Sequence, residues 1–290
     1  MPFHITIGRL FRRSLLTVVL MMVPVALMAE TLRVGADIDY APLSYMDGDT
    51  PVGFDIEFFQ LVAEELDSDV QFMLDVWPRV LSKARGGDLD VVTGVIFHDE
   101  RQDFLSFSVP YHSFSFAVVT RREQSLQSMR DISNLRMAAL DNDAVPKLLL
   151  RHIGATPPTT TYPTLSDALN SVRAGDNDFV IVPERFAQSD AFRTNARHLN
   201  VVTFPDLSGT YRMGITENSR VTVAEINGAI EAALHSDEYQ EISARWIPSG
   251  VPEQRAEDRT RRLLHIATVA LIISIVVFAI MFLFVTRRTA

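Results

Sequence analysis

Short apolar runs alternate with amphipathic segments along the middle of the chain. Apolar residues such as Phe54, Phe58, Leu61 and Leu66 recur at helical spacing, whereas runs rich in β-branched residues predict strands. This alternation is typical of an α/β fold with parallel sheets, and no internal repeat is apparent. The predicted strands are 31–36, 70–74, 91–95, 136–140 and 179–182, and the predicted helices are 54–66, 80–84, 145–153, 165–172 and 221–234.

The first segment of the chain, residues 1–29, has the pattern of a secretory signal peptide. Three arginines within positions 9–13 precede an apolar run at 15–23, and small residues follow up to Ala29. We expect cleavage near Ala29. The alternative is an uncleaved N-terminal anchor, because Leu27 stands where the cleavage machinery prefers a small residue.

The last segment predicts a transmembrane helix. Residues 266–285 form a stretch of 20 residues in which only Thr268 and Ser274 are polar. At about 1.5 Å per residue, this stretch covers the roughly 30 Å of a bilayer core. We therefore predict a membrane span at 263–286 and a cytoplasmic tail at 287–290.

The residues that flank this span do not by themselves indicate its orientation. Residues 251–262 are polar and read as a juxtamembrane linker, and arginines stand on both sides of the span. The signal peptide should therefore decide the orientation. We expect the binding domain in the periplasm, tethered to the inner membrane by a single C-terminal span.

Composition narrows the function. The formal net charge of −9 argues against nucleic acid as a partner, which requires a basic face. The chain has no cysteine, so disulfides, thiolate nucleophiles and a lipidated cysteine are excluded. The histidines show no metal-ligand spacing, and we expect no metal and no cofactor. About 230 residues lie between the two apolar ends, enough for two lobes with separate cores.

Several motifs occur in a characteristic order between residues 31 and 247. They are the segments 32–37 and 40–45, Gly53-Phe54-Asp55, Trp77 with Asp90 thirteen residues later, Arg101 followed by Phe107-Ser108-Val109-Pro110-Tyr111, and the tryptophan-containing segment 239–246. Together they resemble the family 3 extracellular solute-binding proteins, which are type 2 periplasmic binding proteins for amino acids and related ligands.

This resemblance implies an α/β fold of two lobes that are joined by two hinge crossings and close over a ligand. Lobe 1 would comprise residues 30–119 and 211–250, and lobe 2 would comprise residues 120–210. The crossings are expected near 118–121 and 207–212.

The resemblance also implies a ligand site. Arg101 matches the arginine that holds a ligand carboxylate through two parallel donors. Without the motif, Arg101 would equally fit a surface salt bridge with a neighbouring acid. Tyr40 and Trp77 match aromatic residues that sandwich the ligand, although ordinary core packing would also explain them.

Three further residues complete the ligand contacts that are expected from lobe 1. Asp37 matches a position that can bind a ligand's amino group. Thr93 and Gly94 match the loop before the arginine, where small residues let the backbone approach the ligand.

The sequence departs from the family pattern at five positions. Ile96 and His98 stand where hydroxyl residues often assist the carboxylate. Asp143 opens a lobe 2 helix where free N–H groups normally receive an anion. Pro183 replaces the usual amine-binding aspartate, and Glu184 could substitute for it. These departures weaken the expectation of an ordinary α-amino acid, and a small carboxylate-bearing molecule or a ligand whose cationic group faces Asp143 and Glu184 fits as well.

Three functions remain open at this point. We favour a membrane-tethered sensor input module that binds an amino-acid-like ligand and acts through a signalling partner. The first alternative is a tethered substrate-binding component that serves the permease of an ABC-type importer. The second is a periplasmic dehydratase-like enzyme using Asp143, Glu184 or His98, but no recognised catalytic set is present and we expect no enzyme activity.

Overall fold

The computed structural model describes the segment between the two apolar ends. The described residues are 31–124, 126–189, 192, 194, 196 and 198–247. The predicted signal peptide, linker, membrane span and tail lie outside this set. Among the described residues, no helix combines the length and the apolar character needed to cross a membrane.

Strands and helices alternate through most of the described chain. The strands are β1 (Thr31–Asp37), β2 (Asp39–Tyr40), β3 (Ser44–Asp47), β4 (Thr50–Val52), β5 (Asp69–Asp75), β6 (Val91–Ile96), β7 (Leu105–Phe107), β8 (His112–Arg121), β9 (Met137–Leu140), β10 (Thr159–Tyr162), β11 (Phe179–Pro183) and β12 (Leu199–Thr216). The α-helices are α1 (Phe54–Glu65), α2 (Trp77–Gly86), α3 (Val145–Ile153), α4 (Leu165–Ala174), α5 (Glu184–Gln188), α6 (Val223–Leu234) and α7 (Asp237–Trp246).

One sheet runs through both lobes in the order β10-β9-β11-β8-β12-β6-β1-β5, with β7 also paired to β12. Parallel pairs form its two sides, with β1 beside β5 and β6, and β9 beside β10 and β11. The long strands β8 and β12 pair antiparallel between the two sides. The predicted two-lobed α/β fold is confirmed.

The long strand pair carries the chain between the lobes. Its pairing is interrupted between Thr203 and Ser208. Val118 and Val119 already pair with β11 of lobe 2, so the first crossing begins earlier in β8 than residues 118–121. The lobe boundaries drawn from the sequence remain predictions.

Local chemistry explains where the helices stop and start. Helix α2 extends beyond the predicted 80–84 because Pro78 occupies its first turn and Gly87 ends it in the left-handed conformation. Helix α3 spans the predicted 145–153. The small sheet β2-β3-β4 was not predicted from hydrophobic periodicity because its strands have two to four residues.

Hydrophobic clusters lie on both faces of the sheet. The largest includes Phe54 and Phe58 of α1 together with Ile226 of α6. A second cluster packs α4 against lobe 2, and a third packs α2 against lobe 1. Helices therefore cover the sheet on both sides, and the functional residues are left to the strand ends.

In lobe 1, an ion pair between Arg33 and the fully buried Asp90 lies at the edge of the sheet opposite those strand ends. The Arg33 backbone N–H donates to Oδ2 of Asp90 at 2.8 Å, and its side-chain Nε donates to the same oxygen at 3.1 Å. Arg33 also donates to the carbonyl of Gly87, the residue that ends α2. Arg220 makes a further ion pair of 3.0 Å with Asp90.

Lobe 2 contains the same arrangement. Arg136 donates through its backbone N–H (2.8 Å) and Nε (3.1 Å) to Asp178, and through its guanidinium to the carbonyl of Gly175, which ends α4. The segments that supply the acids are similar in the two lobes, at 87–90 (Gly-Asp-Leu-Asp) and 175–178 (Gly-Asp-Asn-Asp).

We predict that Asp90→Ala lowers the free energy of unfolding by about 3 kcal/mol, because it leaves two arginines without their buried partner. The equivalent Asp178→Ala should cost only about 1 kcal/mol, since Arg136 is half exposed and can turn to solvent. Urea unfolding of both variants tests this. An equal loss at the two positions would contradict the assigned difference in burial.

Candidate functional site

A cavity of about 30 Å³ lies where the carboxyl ends of strands from both lobes meet. Eight of the nine ligand-binding residues predicted from the sequence line it, and four further residues complete the wall. The predicted ones are Asp37, Tyr40, Trp77, Thr93, Gly94, Ile96, Arg101 and Asp143, and the added ones are Ser44, Asp55, Leu140 and Tyr211.

Arg101 is a fixed cation in this cavity. It ends the 3₁₀ turn Asp99–Arg101 after β6, and only 3% of its surface is exposed. Its guanidinium donates to the carbonyl of Ile96 at 2.9 Å and, across the cleft, to the carbonyl of Asn142 at 2.8 Å. Its central carbon lies 5.2 Å from the ring centroid of Trp77. Burial lowers the pKa of Arg101 to about 10, so the group stays charged at neutral pH.

Three acids share the cavity with this cation. Asp37 ends β1, Asp55 lies in the first turn of α1, and Asp143 precedes α3. Burial raises the pKa of Asp37 and of Asp55 to about 7 in each case. Burial also raises the pKa of Asp143, and the charge of Arg101 opposes that change. The site can therefore carry more negative than positive charge, which favours a ligand with a cationic group.

Aromatic side chains form the apolar walls. Trp77 begins α2 and is almost fully buried, and Tyr40 packs against hydrophobic clusters of the core. The Tyr211 hydroxyl, from β12, donates to the Tyr40 hydroxyl at 3.2 Å. Tyr40 and Trp77 thus lie in the cavity wall, and Tyr211 of the crossing strand β12 joins them there.

Besides backbone access for a ligand, the structure gives a second reason for a glycine at position 94. Gly94 has a φ of +67°, and a Cβ there would lie 2.8 Å from Oδ2 of Asp55. The Gly94 N–H donates to the Tyr111 hydroxyl at 2.9 Å, which in turn donates to Asp55 at 2.7 Å. The glycine thus lets a buried carboxylate approach the strand. Oγ1 of Thr93 is buried and has no hydrogen-bond partner among the described residues.

Glu184 is not brought together with the other predicted site residues. It is the first residue of α5 and accepts a hydrogen bond of 2.8 Å from Gln188 one turn later. It lines a separate cavity beside His112 and Tyr239, on α5 and the hinge strands. Pro183 is the last residue of β11, and Glu184 begins α5 directly after it. The Glu184 side chain therefore lies on that helix and not in the ligand cavity.

Four lining residues were not predicted. Asp55 belongs to the Gly-Phe-Asp motif, which was interpreted only as a helix start, and Ser44 lies in the recognised segment 40–45. Leu140 carries no sequence signal beyond its place at a strand end. Tyr211 arrives from a crossing strand far along the chain, so only the tertiary structure identifies it.

The two lobes are in contact around the cavity. Besides Arg101 and Asn142, the backbone N–H of Ser166 in α4 donates to Oδ2 of Asp39 at 2.8 Å. Glu100 and Lys147 form an ion pair between the lobes. The arrangement is therefore a closed one, in which groups from both lobes surround the same small space.

Two α/β lobes that close around a buried arginine and three acids define a two-lobed ligand-binding protein. The profile of the bacterial extracellular solute-binding proteins, family 3, matches residues 32–249, and this chain belongs to that family.

Individual relatives are similar over most of the chain. A probable histidine-binding protein of Neisseria gonorrhoeae is 23% identical over 232 residues, covering 77% of this chain and 85% of the relative. The ABC transporter arginine-binding protein 1 of Escherichia coli K12 is also 23% identical, covering 76% of this chain and 92% of the relative. Both relatives are named as binding proteins and not as enzymes.

A solved histidine kinase sensor domain, described as similar to periplasmic binding proteins, has the same fold. Its TM-score is 0.67 at 23% identity, and the match covers 76% of this chain and 96% of that domain. The fold therefore occurs both in transport proteins and in sensors.

We predict that Asp55→Asn stabilises the folded protein in a pH-dependent way. Because the pKa of Asp55 is raised from 3.8 to about 7, the folded state retains a proton that the unfolded chain releases. The wild-type contribution to the free energy of unfolding therefore falls as pH rises through this window. The variant should exceed the wild type by about 3 kcal/mol at pH 8 and by little near pH 4.

Chemical denaturation at the two pH values measures this difference. Asp47→Asn, at an exposed position of β3, serves as the matched control and should show no such trend. A constant difference between Asp55→Asn and the wild type at both pH values would show that Asp55 is ionised in the same range in both states.

Proposed function

We propose that the chain is a membrane-tethered periplasmic binding domain that closes on an amino-acid-like ligand. The observation that carries this proposal is one cavity in which a buried arginine faces three acids. A ligand carboxylate would meet Arg101, whose planar donors suit two carboxylate oxygens. A ligand ammonium would lie among Asp37, Asp55 and Asp143.

The buried acids give a physical reason to expect a positively charged group on the ligand. Burial holds the pKa of Asp37 and of Asp55 near 7, so each carboxylate is costly to ionise on its own. An ammonium group beside them stabilises the ionised forms and would draw these pKa values down. Binding of a cationic amine should therefore release protons near neutral pH. The names of the histidine-binding and arginine-binding relatives support an amino acid.

Closure of the two lobes would signal that a ligand is bound. Arg101 belongs to lobe 1 and Asp143 to lobe 2, so a ligand that contacts both stabilises the closed arrangement over an open one. Helix α7 is the last described element, and the predicted linker at 251–262 and membrane span at 263–286 follow it. Lobe movement would then reach the membrane through this helix.

We favour a sensor role because a freely diffusing transport receptor needs no membrane span. The similarity to a histidine kinase sensor domain supports this choice. The alternative is a tethered receptor for an ABC-type importer, which the similarity to the Escherichia coli arginine-binding protein supports. If deletion of the gene leaves uptake of the bound ligand unchanged, the importer role fails.

We predict that Arg101→Gln abolishes ligand binding. A thermal-shift screen of the full chain in detergent against amino acids, amines and small carboxylates should identify stabilising compounds. Ligand at about 100 times its Kd stabilises the native state by about 2.7 kcal/mol. The shift should disappear in Arg101→Gln and persist in Arg79→Gln, which removes an exposed cation from α2. An unchanged shift in Arg101→Gln would contradict the carboxylate assignment.

We predict that the C-terminal segment tethers the domain. Removing residues 263–290 should move the protein from the membrane fraction to the periplasmic fraction. A fluorescent protein fused after Ala290 should fluoresce in the cytoplasm, while protease added to spheroplasts should digest the binding domain. Recovery of the truncated protein in the membrane fraction would contradict a C-terminal tether and favour an N-terminal anchor.

A further inference from the structure

A second, larger cavity adjoins the ligand cavity. We call it the outer cavity, and it is bounded by Leu81, Arg85, His98, Phe104, Asp143 and Lys147. Its volume is about 420 Å³, against about 30 Å³ for the inner one. A cavity needs roughly 10–15 Å³ to hold one water, whereas small-molecule pockets span about 300–1,000 Å³. The inner cavity therefore suits the charged head of a ligand, and the outer cavity has room for its remainder.

Arg101 and Asp143 line both cavities, so the two cavities share the groups that would hold the ligand head. The outer cavity is also built by both lobes. Leu81 and Arg85 project from α2 of lobe 1, and Lys147 lies in the first turn of α3 of lobe 2. A ligand side chain in this space would contact both lobes and add to the stability of the closed arrangement.

The outer cavity is lined by three cations, Arg85, Arg101 and Lys147, against two acids, Glu100 and Asp143, and this excess favours an anion. Arg85 and Lys147 stand at its walls, and the central carbon of Arg85 lies 4.3 Å from the ring centroid of Phe104. Lys147 is paired with Glu100, but the Glu100 side chain is 75% exposed. An exposed ion pair of this kind contributes little, so a ligand anion can take the place of Glu100 on Lys147.

Unsatisfied polar atoms in the same wall point to a polar ligand. Nε of Arg101 and Nδ1 of His98 are buried and have no hydrogen-bond partner among the described residues. Buried donors and acceptors are normally paired, and leaving them unpaired is costly. Burial lowers the pKa of His98 to about 4, so at neutral pH its imidazole is uncharged and can donate or accept.

We infer that the outer cavity receives the ligand side chain and that this side chain ends in an anionic group held by Lys147 and Arg85. The preferred ligands are therefore acidic amino acids, meaning α-amino dicarboxylates of glutamate length or longer. This inference rests on the proposed function, which positions the α-carboxylate at Arg101 and the ammonium among the acids.

Calorimetry on the full chain in detergent tests the inference with glutamate, 2-aminoadipate and the uncharged glutamine. Wild-type protein should bind one of the acids at least about 10-fold more tightly than glutamine, because hydrogen bonds to charged groups are the stronger ones. Lys147→Gln should remove this preference and leave the affinity for glutamine nearly unchanged. Glu100→Gln should have the opposite effect and strengthen acid binding, because it frees Lys147.

Arg151→Gln is the matched control, since it removes an exposed cation from the last turn of the same helix. It should retain the preference for acids. If glutamine binds as tightly as the acids and Arg101→Gln abolishes both, the outer cavity does not select an anion although the proposed function stands. If none of these three amino acids binds the folded wild type, the inference fails, and the broader thermal-shift screen decides the proposed function separately. If Lys147→Gln and Arg85→Gln leave acid binding intact, the inference is overturned.

Discussion

The burial of the Arg101 guanidinium between the two lobes is the constraint on which the rest of the site depends. A charge removed from water is costly unless neighbouring groups replace the lost hydration. Here the carbonyls of Ile96 and Asn142 accept its hydrogen bonds, one from each lobe, and the ring of Trp77 lies against it. The hydrogen bonds that Arg101 makes therefore need both lobes, and under the proposed function it would report closure as well as anchor the ligand.

The scaffold explains how such a group can be held. Parallel strands on each side of the sheet direct their carboxyl ends toward the cleft, where the strand ends and the segments after them supply Asp37, Arg101 and Asp143. At the opposite edge, two matching Arg–Asp pairs tie a strand to the end of a helix in each lobe. The long pair of β8 and β12 then joins the two halves of the sheet.

Electrostatics connects this scaffold with selectivity. Inside the closed cleft the acids outnumber the cation, and burial makes them reluctant to ionise without a partner. Outside Arg101 the balance reverses, because Arg85, Arg101 and Lys147 outnumber Glu100 and Asp143 around the outer cavity. The excess of negative charge in the inner cavity is thus followed by a small excess of positive charge in the outer one. A ligand with an inner ammonium and outer anionic groups would match this order.

The sequence by itself determined the elements and most of the site. Hydrophobic periodicity predicted α1 and α3 because amphipathic spacing follows from packing one face on a sheet, and ordered motifs located Asp37, Trp77 and Arg101. Only the tertiary structure added Asp55 and Tyr211 and separated Glu184 from the site. The position of Asp55 depends on the left-handed Gly94 of β6 and on Tyr111 just before β8, and Tyr211 arrives on a crossing strand. Contacts between distant segments decide which residues share a cavity. The spacing of residues along the chain does not contain that information.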